Sequence, residues 1–123
     1  MPRPLVLCSS ILLAATLAAC GGSDSSQPAS DGSPDGAALY ATSCASCHGA
    51  DLGGTDRGPS HLAITYEPNH HPDEAFRAAI RNGAPQHHWS FGPMPPVQGL
   101  SDPEVEAIIS YIRAEQERRG FDP

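Results

Sequence analysis

No lysine occurs in the 123 residues, so every fixed cation is an arginine, and the seven arginines face fourteen carboxylates for a net charge of −7. That balance excludes a nucleic-acid ligand, whose phosphates such a surface would repel. Cysteine is also scarce: Cys8, Cys20, Cys44 and Cys47 are the four present, and only the last two stand close together. No second close pair exists to complete a structural zinc site, and no pair is spare for a disulfide framework. Long apolar runs are missing as well. The longest, from Leu5 to Leu17, falls short of the roughly 20 residues a bilayer span requires. Methionine occurs twice, at Met1 and Met94.

What the N-terminus does contain is a short basic start at Arg3, the apolar run, and then Leu17-Ala18-Ala19-Cys20. Small residues closing an apolar segment predict a secretory leader over 1–19. With a cysteine at the cut, that leader resembles a bacterial lipoprotein signal, which implies lipidation of Cys20. Cleavage near the same alanines as an ordinary secretory leader would instead leave Cys20 a free thiol. Residues 20–35 are almost wholly Gly, Ser, Asp, Pro, Gln and Ala, too polar to order themselves, and predict a flexible tether. The expected layout is a lipid-anchored domain over 36–123 in the cell envelope, in the periplasm or on the outer face of the cytoplasmic membrane. Removing Arg3 with the leader makes the remaining chain one unit more acidic, which favours partners with basic docking faces.

The chemistry concentrates at Cys44-Ala45-Ser46-Cys47-His48, a C-x-x-C-H sequence. Two thiols separated by two residues on a helical turn reach the two vinyl groups of one haem as thioethers, and the adjacent histidine lies beneath the iron as its proximal ligand. A thioredoxin-like redox pair would need an α/β pattern around it, which the chain lacks. A domain this small also gains from a bulky apolar cofactor in its interior.

From Asp35 onward the chain resembles the class I c-type cytochromes, with a helix running into C-x-x-C-H, a Gly-Pro loop, a middle helix, a methionine loop and a C-terminal helix. The resemblance implies an all-α fold in which the first and last helices cross and loops wrap one covalently attached haem c. It implies that Gly36 and Tyr40, one turn apart, meet the last helix near Tyr111, and that the first helix extends from about Asp35 to Ser46. It implies that the carbonyl of Pro59, in Arg57-Gly58-Pro59, accepts a hydrogen bond from His48 Nδ1. It further implies that Met94, in Gly92-Pro93-Met94-Pro95-Pro96, is the second axial ligand of the iron. The residues themselves predict a middle helix from Pro72 to Asn82-Gly83 with Phe76, Ala79 and Ile80 on one face. They also predict a last helix with a Ser101/Glu104 capping box, an apolar stripe of Val105, Ile108, Ile109 and Ile112, and a stop at Gly120.

His61, His70, His71, His87 and His88 offer other possible iron ligands, with His87 and His88 expected at a solvated or pocket-edge position. Trp89 and Phe91 are expected over the haem edge. With both His48 and Met94 bound, iron has no open position, so the expected function is one-electron carriage as a monomer rather than catalysis. The expected partners are redox proteins, membrane-bound complexes or envelope dehydrogenases, with no nucleic acid. Two alternatives stay open: a haem enzyme or a gas or peroxide sensor in which Met94 is displaced, and a subunit through which electrons pass into a larger dehydrogenase or oxidase.

Overall fold

A computed structural model describes residues 32–122. The expected leader, Cys20 and nearly all of the expected tether lie outside the described residues. Asp35 opens the fold: its carboxylate accepts the backbone N–H groups of Ala37 and Ala38 at 3.0 and 3.1 Å, which caps helix α1, Gly36–Ser43. A side-chain oxygen at this position satisfies donors that the first helical turn leaves unpaired.

The single helix expected through Ser46 is instead broken at Cys44, which sits at φ −122° and ψ −37°. A new short helix, α2, Ala45–His48, follows it. The break has a local cause. The Cys44 carbonyl accepts from both Cys47 N and His48 N, at 3.1 and 3.0 Å, so a tighter turn restarts there and carries Cys47 and His48 round.

A loop then leads through a short 3-10 turn, Ile64–Tyr66, to helix α3, Asp73–Asn82, and on to helix α4, Asp102–Arg119. Both later helices begin and end where the sequence predicts. Asp73 and Glu74 lie in the first turn of α3, and Arg118 and Arg119 in the last turn of α4, each sign opposing the helix dipole. The capping box is present, with Ser101 N–H donating to the Glu104 carboxylate at 2.8 Å. Among the described residues the chain is all-α. Extended pairing is limited to isolated bridges such as Ala84 with Met94.

Helices α1 and α4 cross in backbone contact at Gly36. A Cβ built there would lie 2.1 Å from the carbonyl oxygen of Ala107, so only glycine permits this approach. One turn on, Tyr40 is buried with its ring 5.5 Å from that of Tyr111, as the resemblance implies. Val105, Ile108, Ile109 and Ile112 from α4 join Leu52, Leu62, Phe76 and Ile80 in one core cluster. Burying side chains of this kind contributes about 1.5–3 kcal/mol each. Helix α3 is tied to α4 by Arg77, whose Nε donates to Glu106 at 2.6 Å, and by an ion pair between Arg81 and Asp102.

Candidate functional site

The helices and the loops between them leave a cavity of about 450 Å³. Its walls are mostly apolar, including Phe76, Ile80, Ile108 and Ile112, and it also takes in Cys44, Cys47, His48 and Met94. A volume and lining of this kind suit a largely buried cofactor.

One wall descends from α2. Tyr40 Oη donates to the Gly49 carbonyl at 3.1 Å, and Thr55 Oγ1 donates to the Cys47 carbonyl at 2.6 Å. These bonds pin the end of α2 against α1 and the following loop. Gly58 lies so close that a Cβ would sit 2.9 Å from the Cys47 carbonyl oxygen. That proximity brings Pro59 under His48, and the Pro59 carbonyl lies 3.0 Å from His48 Nδ1. A carbonyl can only accept, so Nδ1 carries the proton and Nε2 keeps its lone pair. Burial also pushes the His48 pKa down against the opposing influence of the Pro59 bond, which favours the neutral ring a metal requires.

Cys44 is buried, and burial first, then the neighbouring Cys47, raises its pKa to about 11. A thiol held protonated is a poor thiolate nucleophile and unlike a thioredoxin-type attacking cysteine, whose pKa is depressed. Cys44 and Cys47 are both free thiols beside the cavity. Two free thiols and a neutral imidazole on an apolar cavity fit a haem held through thioethers and one axial nitrogen.

The facing wall is the segment after α3. Ala84 and Met94 exchange two backbone hydrogen bonds, at 3.0 and 2.9 Å, and Gly83 packs against the Met94 carbonyl, where a Cβ would lie 2.5 Å from the oxygen. The half-buried Met94 is thereby fixed by its backbone on the cavity wall. Between these two anchors, residues 85–92 bulge outward and bring His87, His88, Trp89 and Phe91 to the rim of the same cavity. Trp89 stacks on Tyr66 with ring centroids 5.7 Å apart.

The structure thus gathers Cys44, Cys47, His48, Pro59 and Met94 around one cavity, with His87 and His88 at its edge. His61 and His71 line it as well. His61 lies on the His48 side: it is buried, with its ring stacked on that of His48 at 4.0 Å and 18°. Its pKa is held well below the ordinary value by burial and then by His48, so the ring is neutral. Its Nδ1 has no hydrogen-bond partner among the described residues. The position of His61, two residues past Pro59, was the only sequence cue to this contact. Gln116 is a second residue the sequence did not single out. It is buried within α4, and its amide donates to the His61 carbonyl at 2.6 Å.

The family model described as Cytochrome c matches residues 33–115. The match spans α1 through most of α4 and contains every one of the cavity residues named above. No curated protein matches the chain.

Proposed function

The chain belongs to the cytochrome c family, and from that premise we propose that it is an envelope electron carrier, tethered by lipid at Cys20, whose iron is bound by His48 and Met94. Membership brings a covalently attached haem c with its iron and a haem-based role in electron transfer. The bound haem supplies a one-electron ferric/ferrous couple.

The chain's own residues do the rest. Cys44 and Cys47 would hold the cofactor covalently, as thioethers to its vinyl groups. The Pro59 carbonyl fixes the His48 ring and strengthens Nε2 as a donor. Met94 offers a soft thioether that favours the ferrous state and raises the potential. Phe76, Ile80, Ile108 and Ile112 exclude water from the cavity, so little solvent reorganises when charge changes. With His48 and Met94 both holding the iron, no place would remain there for a substrate, and the group would serve outer-sphere electron transfer. Redox proteins with basic docking faces suit the acidic surface.

The observation that carries this reading is the 3.0 Å bond between His48 Nδ1 and the Pro59 carbonyl, which fixes the tautomer that a metal-ligating imidazole needs. The deciding experiment is an optical spectrum of the purified holoprotein, ferric and dithionite-reduced, with a pyridine haemochrome assay and carbon monoxide. One c-type haem per chain, low-spin bands and no response to carbon monoxide are expected. Rapid carbon monoxide binding by the native ferrous protein would overturn the carrier in favour of a sensor or enzyme with a displaced Met94.

A further inference from the structure

We propose that His70, His71 and His88, joined at the rim by His87, form a binding site for one zinc-class divalent transition-metal ion at the mouth of the haem cavity. The ligating nitrogens of His70, His71 and His88 all lie within 4.8 Å of one another. His70 Nε2 and His88 Nε2 are 3.2 Å apart, and His71 Nε2 and His87 Nε2 are 3.4 Å apart. Tetrahedral coordination with metal–nitrogen bonds of about 2.0–2.1 Å sets neighbouring nitrogens roughly 3.3–3.4 Å apart. Both pairs already stand close to that spacing.

The tautomers point the same way. His71 Nδ1 is 2.7 Å from the Thr65 carbonyl, and His87 Nδ1 is 2.7 Å from the Pro85 carbonyl. Each Nδ1 therefore donates, and each Nε2 is left with a lone pair. Two lone pairs facing each other at 3.4 Å repel unless a cation or a proton lies between them. A carbonyl behind Nδ1 is also the arrangement by which proteins orient metal-binding imidazoles.

The ligands come from two segments, of which the 67–71 turn is firmly held. The Glu67 carbonyl accepts both His70 N and His71 N, at 2.9 and 2.8 Å, and the Arg113 guanidinium bonds to the His71 carbonyl. The positive charge of Arg113 is itself matched by Asp73 at 2.7 Å. His87 and His88 ride on the segment that ends at Met94. An all-imidazole set suits zinc, copper or nickel and offers nothing to magnesium or calcium, which require oxygen ligands. The acidic chain further favours cation uptake. Bound there, the ion would link the 67–71 turn to the 85–92 segment and stiffen the rim over the cavity.

The test is calorimetric titration of zinc chloride into the untagged full-length holoprotein, with magnesium chloride as control, repeated on the His71→Ala/His88→Ala double variant. Haem absorption of the variant serves as the check on folding, since neither histidine is an assigned iron ligand. One zinc per chain, indifference to millimolar magnesium, and an affinity loss of at least tenfold in the folded variant are expected. Absence of zinc binding would overturn the site. Binding that survives the double substitution, or that perturbs the haem bands equally in both proteins, would place the ion elsewhere and also overturn it.

Discussion

The two walls of the haem cavity are built on opposite principles. The wall bearing Cys44, Cys47 and His48 is stitched at nearly every turn: Tyr40 to Gly49, Thr55 to Cys47, His48 to Pro59, and Ser60 Oγ to the Leu52 carbonyl at 3.1 Å. The wall bearing Met94 hangs from one pair of backbone bonds to Ala84, and the bulge between is gathered by short local bonds, Gly92 N to Gln86 Oε1 at 2.8 Å and His87 Nδ1 to the Pro85 carbonyl at 2.7 Å. The first includes the buried Cys44, His48 and Gly58, whereas much of the second is exposed, with Phe91 40% accessible. The contrast teaches that His48 is fixed by the fold, whereas Met94 is held by its own short loop. On the proposed ligation, one side would define where the iron sits and the other would tune it.

The largest effect that separates the walls comes from removing each ligand in turn. His48→Gly takes away the imidazole on which its wall's network converges, and if it binds the iron as proposed the low-spin spectrum should vanish entirely. Met94→Ala should leave the haem attached and the domain folded. It should abolish the weak sulfur-to-iron band at the red end of the ferric spectrum and lower the potential by roughly 120 mV, equivalent to about a hundredfold in the redox equilibrium. Its Tm should move little, because only a half-buried side chain on a lightly tethered loop is lost. An unchanged ferric spectrum in Met94→Ala would refute the ligand assignment. A Tm collapse there would refute the contrast between the walls.

The next test sharpens the comparison at a point the sequence did not reveal. Helix α4 was legible because local rules sufficed: the Ser101/Glu104 box and isoleucines at helical spacing encode start and buried face within one segment. The Gly36 contact and the Pro59 bond were legible through family resemblance, since nothing local says that a glycine meets Ala107 or that a proline carbonyl faces His48. The break at Cys44 was not legible, because it arises from one carbonyl shared by two N–H groups and leaves the side-chain pattern unaltered. Nor was the meeting of His70 and His71 with His87 and His88, which depends on α3 folding the chain back on itself.

His61 is the clearest such case, a histidine whose burial against His48 is a purely tertiary result. Its partnerless Nδ1 costs stability, of order 1–3 kcal/mol for an unsatisfied buried group. His61→Leu should therefore raise the Tm of the holoprotein, by about 4–8 °C for each kcal/mol recovered in a domain of this size. The His61 carbonyl that receives Gln116 is backbone and survives the change. A fall in Tm would mean that the imidazole contributes more to the His48 wall through its stacking than its unpaired nitrogen takes away.

The smallest effect concerns how the Met94 wall is moored to the body of the protein. It follows directly from α3, and α3 is fastened to α4 by the exposed Arg77–Glu106 and Arg81–Asp102 pairs. The hydrogen bond from Arg77 holds the Glu106 carboxyl below the usual carboxylate value. A carboxylate whose folded pKa is depressed binds fewer protons in the folded state than in the unfolded one. Its stabilisation is thus complete above the ordinary value of about 4.5 and is lost as pH falls through the depressed folded value. Solvent screens a pair so exposed, so the loss should be slight. It should also be local. Amide exchange across residues 83–97 should quicken below pH 4.5, relative to the intrinsic rate, before that of residues 44–62 does. Glu106→Gln should reproduce the quickening at neutral pH. Equal acceleration in both segments would mean that the two walls share one mooring, and that their different construction carries no difference in local stability.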